Sequence, residues 1–331
     1  MSIKWPGSKK CAVCISFDVD ADISWRQILR RNNIERDEPV VLSQGIYEIK
    51  RGIARVLSIL RKHGIKATFF IAGVVAEKYR DTLMGIVRDG HEIAHHGYSH
   101  IVPSRLTPEM EEEEFKRGIE ALEKAFGVRP AGYRSPGEGL GEKTHELIAK
   151  NNMVYDSSMM DDDLPYIIKT PAGRIVELPF RWVMDDWVYF GFNYFPPLEY
   201  RRTGPESPRT ALQVWIDELD VICSESLYLM FIGHPQQIGA TVEGKSPRRV
   251  PNIHYEKQAR RLGGHSRGDS NLYPEPAIGA LSKLTFFNVS LSSTWVPSSS
   301  AQHLSVMLPT ARDIKNFCAI ALYCPMSAVL T

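Results

Sequence analysis

At 331 residues the chain is long enough for one large barrel or two ordinary domains, and 43% hydrophobic with 24% charged residues marks it as globular. A formal net charge of +1 argues against a bulk attraction to nucleic acid or to an anionic membrane surface, and five cysteines are too few, and an odd number, for a disulfide framework. No apolar run approaches the ~20 residues of a membrane span, and the first ten residues lack the apolar core of a secretory signal, so a cytoplasmic enzyme is expected.

The chain is organised around Cys11-Ala-Val-Cys-Ile-Ser-Phe-Asp18-Val-Asp20, an apolar, β-prone run that ends in two acids. On a strand, residues two apart share a face, so Asp18 and Asp20 can converge on one site. Two carboxylates together are costly unless a cation or an arginine shares the site. The same four residues also suit a solvated acidic turn. Cys11 and Cys14, three apart, fall on opposite faces and read as buried strand cysteines rather than as half a zinc site.

Residues 22–46, rich in scattered charge, read as a long loop that could form part of a substrate wall. Apolar residues at Ile49, Ile53, Val56, Leu57 and Leu60 predict a helix over 47–63, closed by Gly64. Ala67–Ala72 predicts a buried strand, 81–89 a short helix, and His91–Ala94 a third strand running into His95-His96-Gly97-Tyr98-Ser99-His100. Thr107-Pro108 opens a helix with a polar cap and an N1 proline, and its early glutamates suit the helix dipole. Ala131–Arg134 predicts strand four and 141–151 a helix. Further strands are expected at Met153–Asp156, Ile175–Pro179 and Leu227–Ile232, with a helix over 208–224 between the last two. This β/α alternation predicts an α/β fold of parallel strands wrapped by helices.

Asp18 and Asp20, His96 and His100, Arg134, Asp156 and His234 each follow the carboxyl end of a different predicted strand. In a (β/α) barrel those ends gather at one rim, where active sites are built. An aspartate and two histidines leave a divalent metal with open positions, the catalytic pattern. A metal there acidifies a bound water, a nearby carboxylate can take its proton, and an imidazole opposite can protonate the leaving nitrogen. One of the two acids suffices as ligand. The other can serve as base, with Arg134 favouring its charged form. Taken singly, each residue also has a plain reading: a polar loop for the histidines, a surface ion pair for Arg134, a turn before Pro235 for His234, and an ordinary turn for Asp156.

Ser16-Phe17-Asp18-Val19-Asp20, His96-Gly97-Tyr98-Ser99-His100, Arg134-Ser135-Pro136-Gly137 and Ile232-Gly233-His234-Pro235 together resemble the ordered motifs of the polysaccharide deacetylase (NodB-homology, carbohydrate esterase 4) family, over about residues 10–240. The resemblance implies a distorted (β/α) barrel of seven or eight parallel strands, closed incompletely here. It implies a divalent metal, zinc by family habit, on Asp20, His96 and His100, with Asp18 as base, Arg134 orienting it, and His234 as general acid. Tyr155-Asp156-Ser157, Leu164-Pro165-Tyr166 and Glu177-Leu178-Pro179, followed by Trp182 and Asp185-Asp186, resemble a narrower branch of peptidoglycan-deacetylase-like proteins and metal-independent allantoinases. On that resemblance the residues expected against substrate are Tyr98, Pro136, Gly137, Asp156, Tyr166, Trp182 and Asp186.

The expected activity is hydrolysis of a non-peptide C–N bond in an acetylated amino sugar or small amide, with no nucleic-acid or membrane partner and with room for a homo-oligomer. An allantoinase-like hydrolase of a cyclic amide is the alternative, and a catalytically silent carbohydrate-binding or truncated barrel the third reading. Residues 241–331 carry five acids against ten Lys/Arg and twelve serines, without β/α alternation. They are expected to form an atypical tail, disordered or poorly packed, beside a 1–240 barrel domain.

Overall fold

A computed structural model describes residues 5, 11–198, 204–240 and 287–288. In chain order, β1 (Ala12–Val19) leads to α1 (Ile23–Arg31), α2 (Pro39–Tyr47), α3 (Ile53–His63), β2 (Thr68–Ile71), α4 (Gly73–Arg88) and β3 (Glu92–His95). Then come α5 (Pro108–Phe126), β4 (Gly132–Tyr133), α6 (Thr144–Lys150), β5 (Tyr155–Asp156), β6 (Tyr166–Thr170) and β7 (Gly173–Glu177). The last are α7 (Asp186–Phe190), α8 (Pro208–Glu225), β8 (Tyr228–Gly233) and the two-residue β9 (Phe287–Asn288).

The strands form one curled sheet in the order β6-β7-β5-β4-β3-β2-β1-β8, an open, distorted (β/α) barrel. All neighbours on that path are parallel except β6 and β7. That antiparallel hairpin was not expected. Its sequence signal is Pro171-Ala172-Gly173, a tight turn in which the Ala172 N–H donates to Thr170 Oγ1 at 3.1 Å. At the other end of the path, β8 meets the chain after β7 through a single parallel bridge between Ile232 and Asp185. β9 pairs antiparallel with Ala12 and Val13. Apart from β9, the expectation for residues 241–331 falls outside the described residues.

Period-two alternation decides what each strand carries inward. On β1, Val13, Ile15, Phe17 and Val19 pack outward under the helices, whereas Ala12 and Cys14 join the inner core with Phe70, Ala94, Tyr155, Met230 and Ile232. The inner row therefore reads Ala12, Cys14, Ser16, Asp18, Asp20: apolar at the floor, acidic at the rim. The same parity puts Ile232 and His234 inward on β8, and Ala94 and His96 inward on β3. Cys11 lies in the outer core and Cys14 in the inner one, on opposite faces as the spacing requires.

Residues 22–46 are not a loop. α1 and α2 pack Trp25 and Leu29 against Val41, Leu42 and Leu198, and Arg26, Arg30 and Arg31 fall away from that apolar face. From Pro39 to His63 the backbone is helical throughout, with a π-helical turn at Glu48–Gly52. This helix lies backbone to backbone against two rim loops. A Cβ on Gly45 would sit 2.0 Å from the Ala21 carbonyl oxygen, and one on Gly52 would sit 2.2 Å from that of Pro235. α5 starts and stops as expected, Thr107 accepting from Met110 N–H and Gly127 turning left-handed at φ 68°. Among the described residues no helix is long and apolar enough to cross a membrane.

Candidate active site

Two strand ends, those of β1 and β3, bring Asp20, His96 and His100 together, with one donor atom of each within 4.8 Å of the others. Asp20 Oδ1 lies 3.3 Å from His100 Nε2 and 3.6 Å from His96 Nε2, is buried, and has no hydrogen-bond partner. His96 Nδ1 donates to the Arg134 carbonyl at 2.9 Å, which leaves the Nε2 lone pair facing the aspartate. Burial pushes the His96 imidazole down, toward its neutral, ligating form, despite Asp18 and Asp20 nearby. Burial alone would raise the Asp20 carboxyl, but the imidazoles of His100, His96 and His234 outweigh it and hold Asp20 below the ordinary carboxylate range. An ionised oxygen without a partner, facing the Nε2 atoms of two imidazoles, is a donor set that fits a divalent cation.

Asp18 sits beside this cluster, its Oδ2 3.9 Å from His96 Nε2. Arg134 is fully buried, so it is no surface ion pair. Its Nη1 donates to Asp18 Oδ1 at 2.7 Å and to Ser16 Oγ at 3.0 Å. Its Nε and Nη2 donate to the carbonyl and hydroxyl of Ser157, both at 3.1 Å, and the guanidinium lies 4.0 Å from the Phe70 ring centroid. With that many donors fixed, Arg134 sets the rotamer of Asp18 and leaves Oδ2 toward the cavity.

Across the cluster, His234 Nε2 points at Asp20 Oδ2 from 3.9 Å. Its Nδ1 donates to Asp186 Oδ1 at 2.7 Å, and the His234 and Ile238 N–H groups bind Asp186 Oδ2 at 2.9 and 3.2 Å. Burial would lower His234, but the Asp186 hydrogen bond and the charges of Asp186, Asp185 and Asp20 raise it well above its usual range. Asp185, pushed up to about 7 chiefly by burial, completes the group.

These groups open into a cavity of about 510 Å³ lined by Asp18, Asp20, His96, His100, Asp185 and His234, with Gly137 and Trp182 in its wall. Of the seven residues expected against substrate, Gly137 and Trp182 line this cavity, and the structure places the other five elsewhere. Tyr98 donates to Glu77 and stacks under Arg117, Pro136 packs on Gly97, and Tyr166 donates to Asp161. Asp186 acts behind His234. Asp156 fails on parity: Gly132 and Arg134 face inward, Gly132 pairs with Tyr155, and so Asp156 turns outward beneath His145 of α6. Residues 22–46 do supply a wall, as expected, but through helix α1 rather than a loop, with Ser24, Ile28, Arg31 and Asn32 in the lining; what the sequence reading missed is the apolar side formed by Trp187, Val188, Pro197 and Leu198. Trp25, Ile28 and Leu29 at helical spacing were the signal for α1, obscured by its arginines.

A family model described as polysaccharide deacetylase matches residues 45–155. A protein named peptidoglycan deacetylase from Helicobacter pylori is 29% identical over 253 residues, covering 68% of this chain and 82% of that one. A solved Mycobacterium smegmatis structure, assigned as a polysaccharide deacetylase, is 33% identical with a TM-score of 0.65, covering 72% of this chain and 82% of the other. The structure of Puue allantoinase, 22% identical with a TM-score of 0.62 over 72% of this chain and 82% of that one, shares the fold.

Proposed function

Since this chain belongs to the polysaccharide deacetylase family, and is thus a hydrolase of C–N bonds other than peptide bonds, we propose that it removes the acetyl group from an acetylated amino sugar. Asp20, His96 and His100 would hold the divalent metal, with zinc preferred for two imidazoles and one carboxylate in a partly open site. Such an ion, when bound, acidifies water and polarises a carbonyl.

The reading rests on one observation above all: an arginine-fixed carboxylate and a carboxylate-backed imidazole adjoin the same donor cluster, one at His96 and the other at Asp20. Asp18 presents Oδ2 to take a proton from the attacking water. His234, its Nδ1 proton engaged by Asp186, presents Nε2 to the departing nitrogen and carries a proton there at neutral pH. Arg134 keeps Asp18 turned toward the cavity. Water adds to the acyl carbon, the C–N bond breaks, and carboxylic acid and amine leave. The indole rings of Trp182 and Trp187 in the cavity wall suit the apolar face of a sugar ring.

The test is metal content per chain measured beside turnover of an acetylated amino sugar and of a cyclic ureide, before and after chelation. Activity on the sugar that vanishes with the metal and returns with zinc is the expected result. Full turnover of either compound by metal-free protein would overturn the assignment.

A further inference from the structure

Helix α1 supplies a wall of the cavity that none of the catalytic roles uses. Ser24, in its first turn, is 5% exposed, lines the cavity, and has a hydroxyl without a hydrogen-bond partner. A buried hydroxyl left unpaired costs free energy, unless a ligand supplies the partner. Four residues on, Ile28 lines the same wall, and Arg31 follows at the next turn. The face is continuous: positions 24, 28 and 31 lie on one side of the helix. At 1.5 Å per residue, Ser24 and Arg31 stand ~10 Å apart along the axis. Arg31 Nη2 reaches over Gly137, 4.0 Å from where a Cβ would stand on that cavity-lining glycine. Among the described residues, Arg31 is the cavity's one Lys or Arg side chain. It has a further interaction of its own, and a guanidinium carries five donors to share.

We propose that α1 reads the substrate at two points, Ser24 hydrogen-bonding a polar group at the cavity floor and Arg31 taking a carboxylate at its rim. The substrate is then an acidic N-acyl compound. The inference rests on the deacetylase reading above and narrows its substrate class. A neutral acetamido group enters a cavity already carrying Asp18, Asp20 and Asp185 at no charge cost. An acidic substrate does so only where a cation meets its carboxylate, and Arg31 lines the cavity for that. The carboxylate could sit on a sugar ring or on a small acyclic amide, and the chemistry at Arg31 is the same.

The experiment uses two matched pairs with the zinc-loaded full chain. One pair is a 2-acetamido hexose and its 3-O-lactyl ether; the other is an N-acetyl amino acid and its carboxamide. The acidic member of one pair is expected to be favoured roughly tenfold or more in kcat/KM, as a charge-assisted hydrogen bond warrants. The pair that shows the preference identifies the carboxylate's source. Arg31→Gln should remove the preference by raising KM for the acidic member, and Arg31→Glu should invert it. Ser24→Ala should raise KM for both members of the pair by one common factor. A preference below about twofold in both pairs, or an Arg31→Gln effect equal on both members, would overturn the proposal. Should the wild type turn over neither pair, the deacetylase reading fails first. Binding of the same pairs by titration calorimetry then decides the present one, and equal affinities within each pair would refute it.

Discussion

Besides the Asp185, Asp186 and His234 group, two carboxylate–imidazole clusters among the described residues lie on opposite faces of this sheet. At the rim, Asp20, His96 and His100 converge. Under α6, His145, Asp156 and Glu177 do the same, and both sets bring three donor atoms within 4.8 Å. Composition does not distinguish them; their surroundings do. In the outer cluster, Asp156 Oδ1 accepts from Ser157 N–H and Ser158 Oγ, Asp156 Oδ2 from His145 Nε2, and Glu177 Oε1 from the N–H groups of Ser158 and Met159. Burial, with the Asp156 charge next, pushes the Glu177 carboxyl well above its normal range, so a proton settles that pair. Each cluster leaves one buried carboxylate oxygen without a partner, Asp20 Oδ1 at the rim and Glu177 Oε2 under α6, but at the rim no proton does this work, because Asp20 is held ionised. A donor set is ready for metal when its charge is unpaid and its exit is open, not merely when its atoms are close.

The largest expected effect follows at the rim. Asp20→Ala or His100→Ala should abolish stoichiometric metal binding and lower kcat/KM by roughly a thousandfold or more, because ligand and chemistry are lost together. Glu177→Gln should leave metal content unchanged, measured by plasma mass spectrometry on the same preparations. A loss of metal from the Glu177 variant would erase the contrast between the clusters.

Asp186→Asn comes next. It keeps the shape but removes the charge that holds His234 protonated, and general acid catalysis is worth ~10²–10⁴ in rate. The sign is fixed. A general acid works while protonated, so activity falls as pH rises through the pKa of His234. Without Asp186 that pKa drops, and the alkaline limb of the kcat profile should move to lower pH. A profile that merely shrinks, with its alkaline limb unmoved, would deny Asp186 its part in setting the acid.

Gly52→Ala should cost less, roughly tenfold to a hundredfold in kcat, with normal metal content. The added methyl meets the Pro235 carbonyl at 2.2 Å and must displace the loop that carries His234, and misplacement of about 1 Å at a reacting group costs up to ~10². Crystal structures or chemical-shift changes confined to the loop after β8 would check it. Gly64→Ala is the control. Its φ of 66° is left-handed, unlike the helical −56° of Gly52, and nothing lies within 4 Å of its Cβ, so stability should fall without a comparable loss of kcat.

Much of the rim was legible because the strands carry it by parity. Once Cys14 is inward, Ser16, Asp18 and Asp20 must follow, and an apolar run that ends in Asp-x-Asp states as much without coordinates. His234 and Arg134 were placed by the same alternation. Asp156 was misassigned because its strand was read as a strand end without asking which face it presented; pairing Gly132 with Tyr155 sends it outward. α1 was hidden because its arginines swamp a three-residue apolar face. Asp186 was found, but its role was not: a residue forty-eight positions from His234 acts on it only through the bridge that brings the two chain segments together.

The smallest effect sharpens the outer cluster. Glu177 is raised in the folded chain, so the native state binds a proton there that the unfolded state has released above the ordinary glutamate range. Stability must therefore decline as pH climbs from that range toward the folded pKa, and level off beyond it. Glutamine mimics the protonated form: its oxygen can still accept from Ser158 and Met159, and its amide can face Asp156. Glu177→Gln should match the wild type near pH 4 and become the more stable protein as pH rises. The gap should widen by about 1.4 kcal/mol per pH unit within the window. Urea midpoints taken at pH 4.5, 6 and 7.5 measure it, with activity as the internal check. If the two proteins instead stay parallel across that range, Glu177 is ionised in the fold and the contrast between the two clusters fails.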